Sequence, residues 1–326
     1  MSKKAIFYTI AAIALSVVVI FTYGIYSSYK LSEKMDVIQT RIDTVNFFIK
    51  NIEKDLNKGI FIAGFRTILS INQFIVSNGT FIDGINGRFE ESFLNGTIKQ
   101  QVATLMANST FTEWANRISA EANKIDIRFN YTINDLQIYQ TDPWTVNVGL
   151  NITLYVSDKK NTSQWSREQF LVSKISIVEF EDPLYVVKTF GRVTNTIIKS
   201  NISNFVVDKD VANLLIHANN SYYIAHNDSP SFLMRMEGNL SNSTFGIESL
   251  VNLAELQAQG LVTKDKSIVD YIYFGNQNPA SYRINKTPEW FKLDTLDESS
   301  NPQAHILTYQ AQDVVCKPSD TVCVTS

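Results

Sequence analysis

The side chains with most chemical capacity are few and scattered. Three histidines, His217, His226 and His305, are the whole imidazole content of the 326-residue chain. None has a second ligand four residues away or a cysteine beside it, as local metal-binding motifs require. A histidine alone on an apolar segment reads as a packed core or surface residue. Glu179, Glu181 and Asp182, within VEFEDPLY, form the densest carboxylate group. Such oxygens serve calcium binding or acid/base chemistry, but the spacing here reads better as a strand end turning at Pro183. Asp208-Lys209-Asp210 reads as a helix start, because a calcium loop needs a glycine and a distal glutamate in register. The two cysteines, Cys316 and Cys323, close CKPSDTVC. They are too few for a zinc site and predict a local disulfide that ties a short terminal loop in an oxidising exterior. No catalytic residue, metal ligand or cofactor is assigned, and the expectation is a protein that is not an enzyme.

The elements around these residues speak more clearly. The chain is 44% hydrophobic and 19% charged, with 20 Phe, 14 Tyr and 4 Trp, which excludes general disorder. With 29 Lys+Arg interleaved among 32 Asp+Glu it has no basic face for nucleic acid. Residues Ala5 to Tyr29 run 25 positions without a charge, beyond the ~20 needed to cross a bilayer. Lys3 and Lys4 precede this span, so the positive-inside rule puts the N-terminus in the cytoplasm and the bulk outside, as a single-pass protein of the cell membrane. Tyr8, Tyr23, Tyr26 and Tyr29 lie near the two ends, where an interfacial aromatic belt sits. With only four residues ahead of the span, a receptor carrying its own cytoplasmic effector is not expected.

Glycan acceptor motifs point to the same side. With 29 Asn and 54 Ser+Thr, about five Asn-x-Ser/Thr sequons are expected by chance, and the chain has twelve. They are Asn78, Asn95, Asn108, Asn130, Asn151, Asn161, Asn201, Asn219, Asn227, Asn239, Asn242 and Asn285, all beyond the span. That excess predicts a glycosylated outer surface.

After the span, Leu31, Met35, Ile38, Ile42, Val45, Ile49, Ile52 and Leu56 are spaced alternately four and three apart. This 3.5-residue seam predicts one helix from the membrane to about Asn57, stopped by Asn57, Lys58 and Gly59. Its apolar face either pairs with another chain or lies under the protein's own head, and the size of the head favours the second. Gly59 to Val76 then reads as a buried helix, since a second span would return every sequon to the cytoplasm. Further helices are expected at Ile85 to Met106 and Thr110 to Lys124, the latter opened by a capping box of Thr110 and Glu113. From Ile125 the period becomes two, predicting an antiparallel meander with a turn at Thr141-Asp142-Pro143 and a third strand at Gln169 to Phe180. One polar face would carry Asn130, Asn147 and Asn151. The expected class is α+β: anchor 1–29, stalk helix with helical and sheet domain 30–204, a second α+β module 205–310, and a polar tail 311–326.

The N-terminus SKKAIFYTIAAIALSVVVIFTYG resembles the class III leader of archaeal type IV pilin-like proteins, and the wider chain resembles single-anchor, sequon-rich archaeal surface proteins. That resemblance implies a leader of residues 1–5 in which Lys3, Lys4 and Ala5 match the processing motif, with Ile6 beginning the mature chain. It departs from the pattern in carrying Ile6 where glutamine is common. Pilin-like proteins assemble through their apolar helices and present a head containing β-structure, which implies a structural or adhesive role at the cell surface. The implied partners are membrane lipid, copies of the chain itself or other envelope proteins. A tethered binding module or ectoenzyme is the alternative.

Overall fold

One unbroken helix, α1 (Lys3–Asn78), takes up nearly a quarter of the chain. The computed structural model describes residues 3–160, 163–294 and 305–316. At 1.5 Å per residue, 76 residues rise about 110 Å. Its most apolar stretch has a mean hydropathy of 2.3 with no buried residue, and is long and apolar enough to cross a membrane.

The expected stop at Asn57, Lys58 and Gly59 is not there. Gly59 is helical, and its missing side chain admits a ring: a Cβ there would lie 2.9 Å from Cε2 of Trp114. Gly64 is used in the same way, its absent Cβ being 3.0 Å from Val148 Cγ2 and 3.1 Å from Ile175 Cδ1. Both glycines serve close approach rather than capping. The helix ends instead at Gly79, in the left-handed region at φ 63°, whose amide donates to Ile75 O at 2.8 Å.

The helix expected over Ile85 to Met106 is also shorter. α2 (Ile85–Asn95) stops at Gly96 (φ 70°), and a small hairpin of β1 (Thr97–Ile98) and β2 (Gln101–Val102) follows. Its two turn residues, Lys99 and Gln100, both have positive φ, as a tight hairpin demands. The Glu91 carboxylate offsets that strain by accepting from the amides of Lys99 (3.2 Å) and Gln100 (2.8 Å). α3 (Phe111–Lys124) opens on the expected capping box. Glu113 N donates to Thr110 Oγ1 at 3.1 Å, and Thr110 N donates to Glu113 Oε2 at 3.0 Å.

A three-stranded sheet follows in the order β3 (Ile127–Asp142), β4 (Thr145–Asp158), β5 (Gln164–Ser176). The two-residue link from β3 to β4 allows only antiparallel pairing. Val146, Val148, Leu150, Ile152, Leu154 and Val156 are all buried, so the alternation in β4 supplies one continuous apolar face. The other face is not wholly polar. Asn147 is buried, its Nδ2 donating to Thr141 Oγ1 at 2.8 Å. Beside it Gly149 lets the rings of Phe170 and Tyr139 close over the central strand.

The remaining chain forms short elements: α4 (Pro183–Lys188), α5 (Ala212–Asn219), β6 (Tyr223–Ala225), α6 (Phe232–Glu237), β7 (Ile247–Ser249), α7 (Leu253–Ala258), α8 (Asp270–Phe274), β8 (Ser281–Arg283), β9 (Lys292–Asp294) and α9 (His305–Thr308). β6 pairs with β7 and β8 with β9, both antiparallel. The fold is therefore α+β, with a long apolar N-terminal helix and antiparallel sheets.

The chain divides into two compact units, residues 1–56, 116–133 and 152–169 in one and 57–115, 134–151 and 170–326 in the other. In the smaller unit Val45, Ile49, Ile52 and Leu56 are buried together with Ala122, Ile127, Phe129, Ile152, Leu154 and Val156. Phe48 meets Phe129 edge-on at 6.3 Å, and Arg167 Nη1 reaches Glu53 Oε1 at 3.0 Å. The larger unit is built on a core that includes Leu184, Tyr185, Leu214, Leu250, Val269 and Tyr309. Phe89, Phe93 and Phe111 stack in series in that unit, and Trp114, tilted against Phe111, packs beside Gly59.

Candidate functional site

Strand β7 sits between two buried polar networks in the larger unit, because successive side chains of a strand point to opposite faces. Ser249 and the carbonyl of Ile247 serve one, and Glu248 serves the other. All three residues of the strand are buried.

The first network centres on Arg235, which has no exposed surface. Its Nη1 donates to Asp182 Oδ2 (2.6 Å) and Asp270 Oδ2 (3.0 Å), and its Nη2 donates to Asp270 Oδ1 (3.1 Å) and to Ile247 O. Burial opposes the charge on Arg235, yet Asp182 and Asp270 hold its pKa above the usual value. Burial pushes the Asp270 carboxyl up, against the pull of Arg235. Tyr223 donates to Asp182 at 2.7 Å and Ser249 Oγ to Asp270 at 2.8 Å. The turn expected at Pro183 is present, with Asp182 Oδ1 accepting from Leu184 N as the cap of α4. Its other oxygen joins the ion pair, a role that the local sequence does not announce. With every member enclosed, this network is a structural clamp.

The second network reaches the surface. Glu248 Oε2 lies 3.0 Å from His305 Nε2 and 3.4 Å from His226 Nδ1, and the two imidazole rings are 4.9 Å apart. Glu248 and His305 are fully buried, whereas the His226 side chain keeps 15% of its surface. Each group is also held from behind. His305 Nδ1 meets Asp294 Oδ2 at 2.9 Å, His226 Nε2 meets Thr308 Oγ1 at 3.2 Å, and Tyr309 Oη donates to Glu248 Oε1 at 3.2 Å. Tyr271 Oη lies 3.3 Å from His305 Nε2. Burial works against a charged His305, but Glu248 and Asp294 outweigh it and raise its pKa to about 10. Burial likewise works against a charged Glu248, and His305 overcomes it to lower that carboxyl. Two imidazoles and a carboxylate whose free ligand atoms converge can share protons or hold a cation.

Reading the sequence missed this grouping. The antiparallel β6–β7 pair sets Ile224 opposite Glu248 and Ala225 opposite Ile247, which brings His226 and Glu248 together. α9 adds His305 from 57 residues beyond Glu248, so no local spacing marks the site.

The third histidine is different. His217 is buried against the rings of Phe205 and Tyr309, with Nδ1 3.1 Å from Ser200 Oγ. Burial lowers its pKa to about 4, slightly opposed by the charge of Glu248. Well above pH 6.5 neither folded nor unfolded chain protonates this group, and it contributes no pH dependence. Between 6.5 and about 4 the unfolded chain takes up a proton that the folded chain refuses, so stability falls as pH falls. The loss from this group should be about 3 kcal/mol by pH 4. Wild type should therefore lose its stability advantage over His217→Leu between pH 7 and 4 in denaturant titrations; a constant difference would remove His217 as the cause.

Of the sequence-predicted sites, the Asn acceptors are accessible. Asn78, Asn95, Asn108, Asn130, Asn201, Asn219, Asn227, Asn239 and Asn242 are exposed, Asn151 and Asn285 are half-buried, and Asn161 lies outside the described residues. Cys316 is disulfide-bonded, and Cys323, its expected partner, lies outside the described residues. Lys3, Lys4, Ala5 and Ile6 belong to the start of α1. The stalk seam divides in two: Leu31, Met35 and Ile38 are 62%, 63% and 45% exposed, Ile42 is half-buried, and Val45, Ile49, Ile52 and Leu56 are 4%, 7%, 3% and 0% exposed.

No protein-family model, curated protein or solved structure matches the chain.

Proposed function

We propose that this is a membrane-anchored, outward-facing, glycosylated surface protein with a structural or adhesive role, in the manner of a pilin-like subunit. The observation that carries this reading is the change of environment along one unbroken helix. α1 is apolar and bare from Ile6 to Tyr29, and one face of the same helix is buried from Val45 onward. A bare apolar segment of this length is stable in lipid or against other apolar helices, and costly in water. The continuous backbone would make the support a stiff rod rather than a flexible tether. The accessible sequon asparagines suit a glycan-covered exterior.

A tethered binding module or ectoenzyme is the second reading, favoured by the partly open cluster of His226, Glu248 and His305. Labelling tests the location that both share. A membrane-impermeant amine reagent on intact cells should modify Lys124, whose side chain is 68% exposed, and leave Lys3 and Lys4 untouched. The reverse pattern would overturn the orientation. Sizing of detergent-extracted native membranes then separates the two readings: high oligomers or filaments support the subunit, a monomer the tethered module.

A further inference from the structure

We propose that His226 Nδ1, Glu248 Oε2 and His305 Nε2 bind one divalent transition-metal ion of the zinc type. The inference does not depend on the membrane reading, because every residue involved lies within the larger unit.

Geometry comes first. Two zinc ligands at ~2.0–2.1 Å in tetrahedral arrangement are about 3.3 Å from each other. Glu248 Oε2 is 3.0 Å from one histidine nitrogen and 3.4 Å from the other, and all three ligand atoms lie within 4.8 Å of one another. A metal would draw the two histidine nitrogens together by up to about 1.5 Å. Two imidazoles with one carboxylate suit zinc and disfavour calcium or magnesium, which prefer oxygen ligands.

The surrounding shell is the second argument. Metal-bound histidines pass their other nitrogen to a carboxylate, carbonyl or hydroxyl that fixes ring and tautomer. Here His305 Nδ1 is held by Asp294, itself hydrogen-bonded by Ser267 Oγ, and His226 Nε2 by Thr308. The non-ligating oxygen of Glu248 takes the Tyr309 hydroxyl. Asp228 N donates to His226 Nδ1 at 3.4 Å, which marks Nδ1, itself 3.4 Å from Glu248 Oε2, as the unprotonated nitrogen of that ring. Two acceptors facing each other need a proton or a cation between them.

Charge is the third. Glu248 and Asp294 are both fully buried carboxylates in contact with His305. A dication with neutral imidazoles balances both carboxylates at once. Of the three ligand residues only His226 is partly exposed, and Asp228 Oδ2 stands 3.8 Å from its Nδ1. Three protein ligands with an open position is the arrangement of zinc sites that admit water or a ligand.

The test uses the full-length chain in detergent without a histidine tag, stripped with chelator and dialysed. Titration with Co²⁺ should give the visible absorption of a four- or five-coordinate ion at one equivalent per chain, displaced by one equivalent of Zn²⁺. His226→Ala, at the exposed edge of the cluster, should keep the circular dichroism of wild type and weaken Co²⁺ binding at least tenfold. Asp294→Asn should weaken it 10–100-fold while leaving the three ligands in place. Glu248→Gln provides a second ligand deletion with the same expected loss. A wild-type stoichiometry below one tenth, or affinity unchanged in a folded His226→Ala, would overturn the site and leave a protonated histidine–carboxylate pair.

Discussion

Arg235→Met should destabilise the protein by about 3–5 kcal/mol, among the largest effects of any single substitution outside the helix core. Methionine fills much of the arginine's volume, so the loss comes from charge rather than from a cavity. Asp182 and Asp270, neither with exposed surface, would keep their positions without the guanidinium that bonds to both. The carbonyl of Ile247 would lose its donor as well. The clamp is not inherently stabilising, because removing a buried ion cluster as a whole costs much less than removing one member. Arg235→Met combined with Asp182→Asn and Asp270→Asn should therefore recover a substantial part of the loss. Arg235→Lys should not rescue, since an ammonium cannot reproduce the bidentate contact with Asp270. Denaturant unfolding followed by tryptophan fluorescence measures each term. A loss under about 1 kcal/mol in the single variant would show that water or neighbouring groups already compensate the aspartates.

What the sequence discloses here depends on how local each cause is. The capping box of Thr110 and Glu113 needs only residues three apart, and its reciprocal hydrogen bonds form as their spacing predicts. The alternation through β4 is equally local, and every apolar member is buried. Gly59 reads as a helix stop in the sequence and is not one, because glycine serves two purposes, freedom at positive φ and space for a neighbour. Trp114, 55 residues away, decides between them, and no window around Gly59 contains it. Asn147 sits on the face of the sheet expected from its parity, but parity says nothing about Phe170 and Tyr139 folding over that face. The cluster of His226, Glu248 and His305 was least legible. Its members belong to β7, the residue after β6, and α9, which meet only through tertiary pairing. The signal the sequence offers is a lone carboxylate inside a short apolar run, Glu248 in FGIESLV, because a charge there needs a partner if the run is enclosed.

The stalk seam yields the sharpest contrast. Leu56→Asp should cost upwards of about 4 kcal/mol, because it removes a fully buried leucine and strands a carboxylate in an apolar core. Met35→Asp, six positions back along the same seam and 63% exposed, should change stability by no more than about 0.5 kcal/mol in detergent-solubilised protein. Eight residues at one spacing thus carry two different assignments. Those from Val45 are covered within the smaller unit, where Phe129 and Arg167 reach Phe48 and Glu53. The uncovered members lie within about 14 Å of axial rise from Tyr29, close to the end of the apolar stretch. The expectation that the protein's own sheet covers the seam holds for its C-terminal half and not for Leu31, Met35 and Ile38. If those three instead pack against a second chain, wild type should associate in a concentration-dependent way and Met35→Asp should release a folded monomer with a lowered melting temperature. Concentration-independent melting of wild type, with Met35→Asp unshifted and Leu56→Asp unfolded, would assign the buried half of the seam to folding and leave the exposed half to the membrane surface.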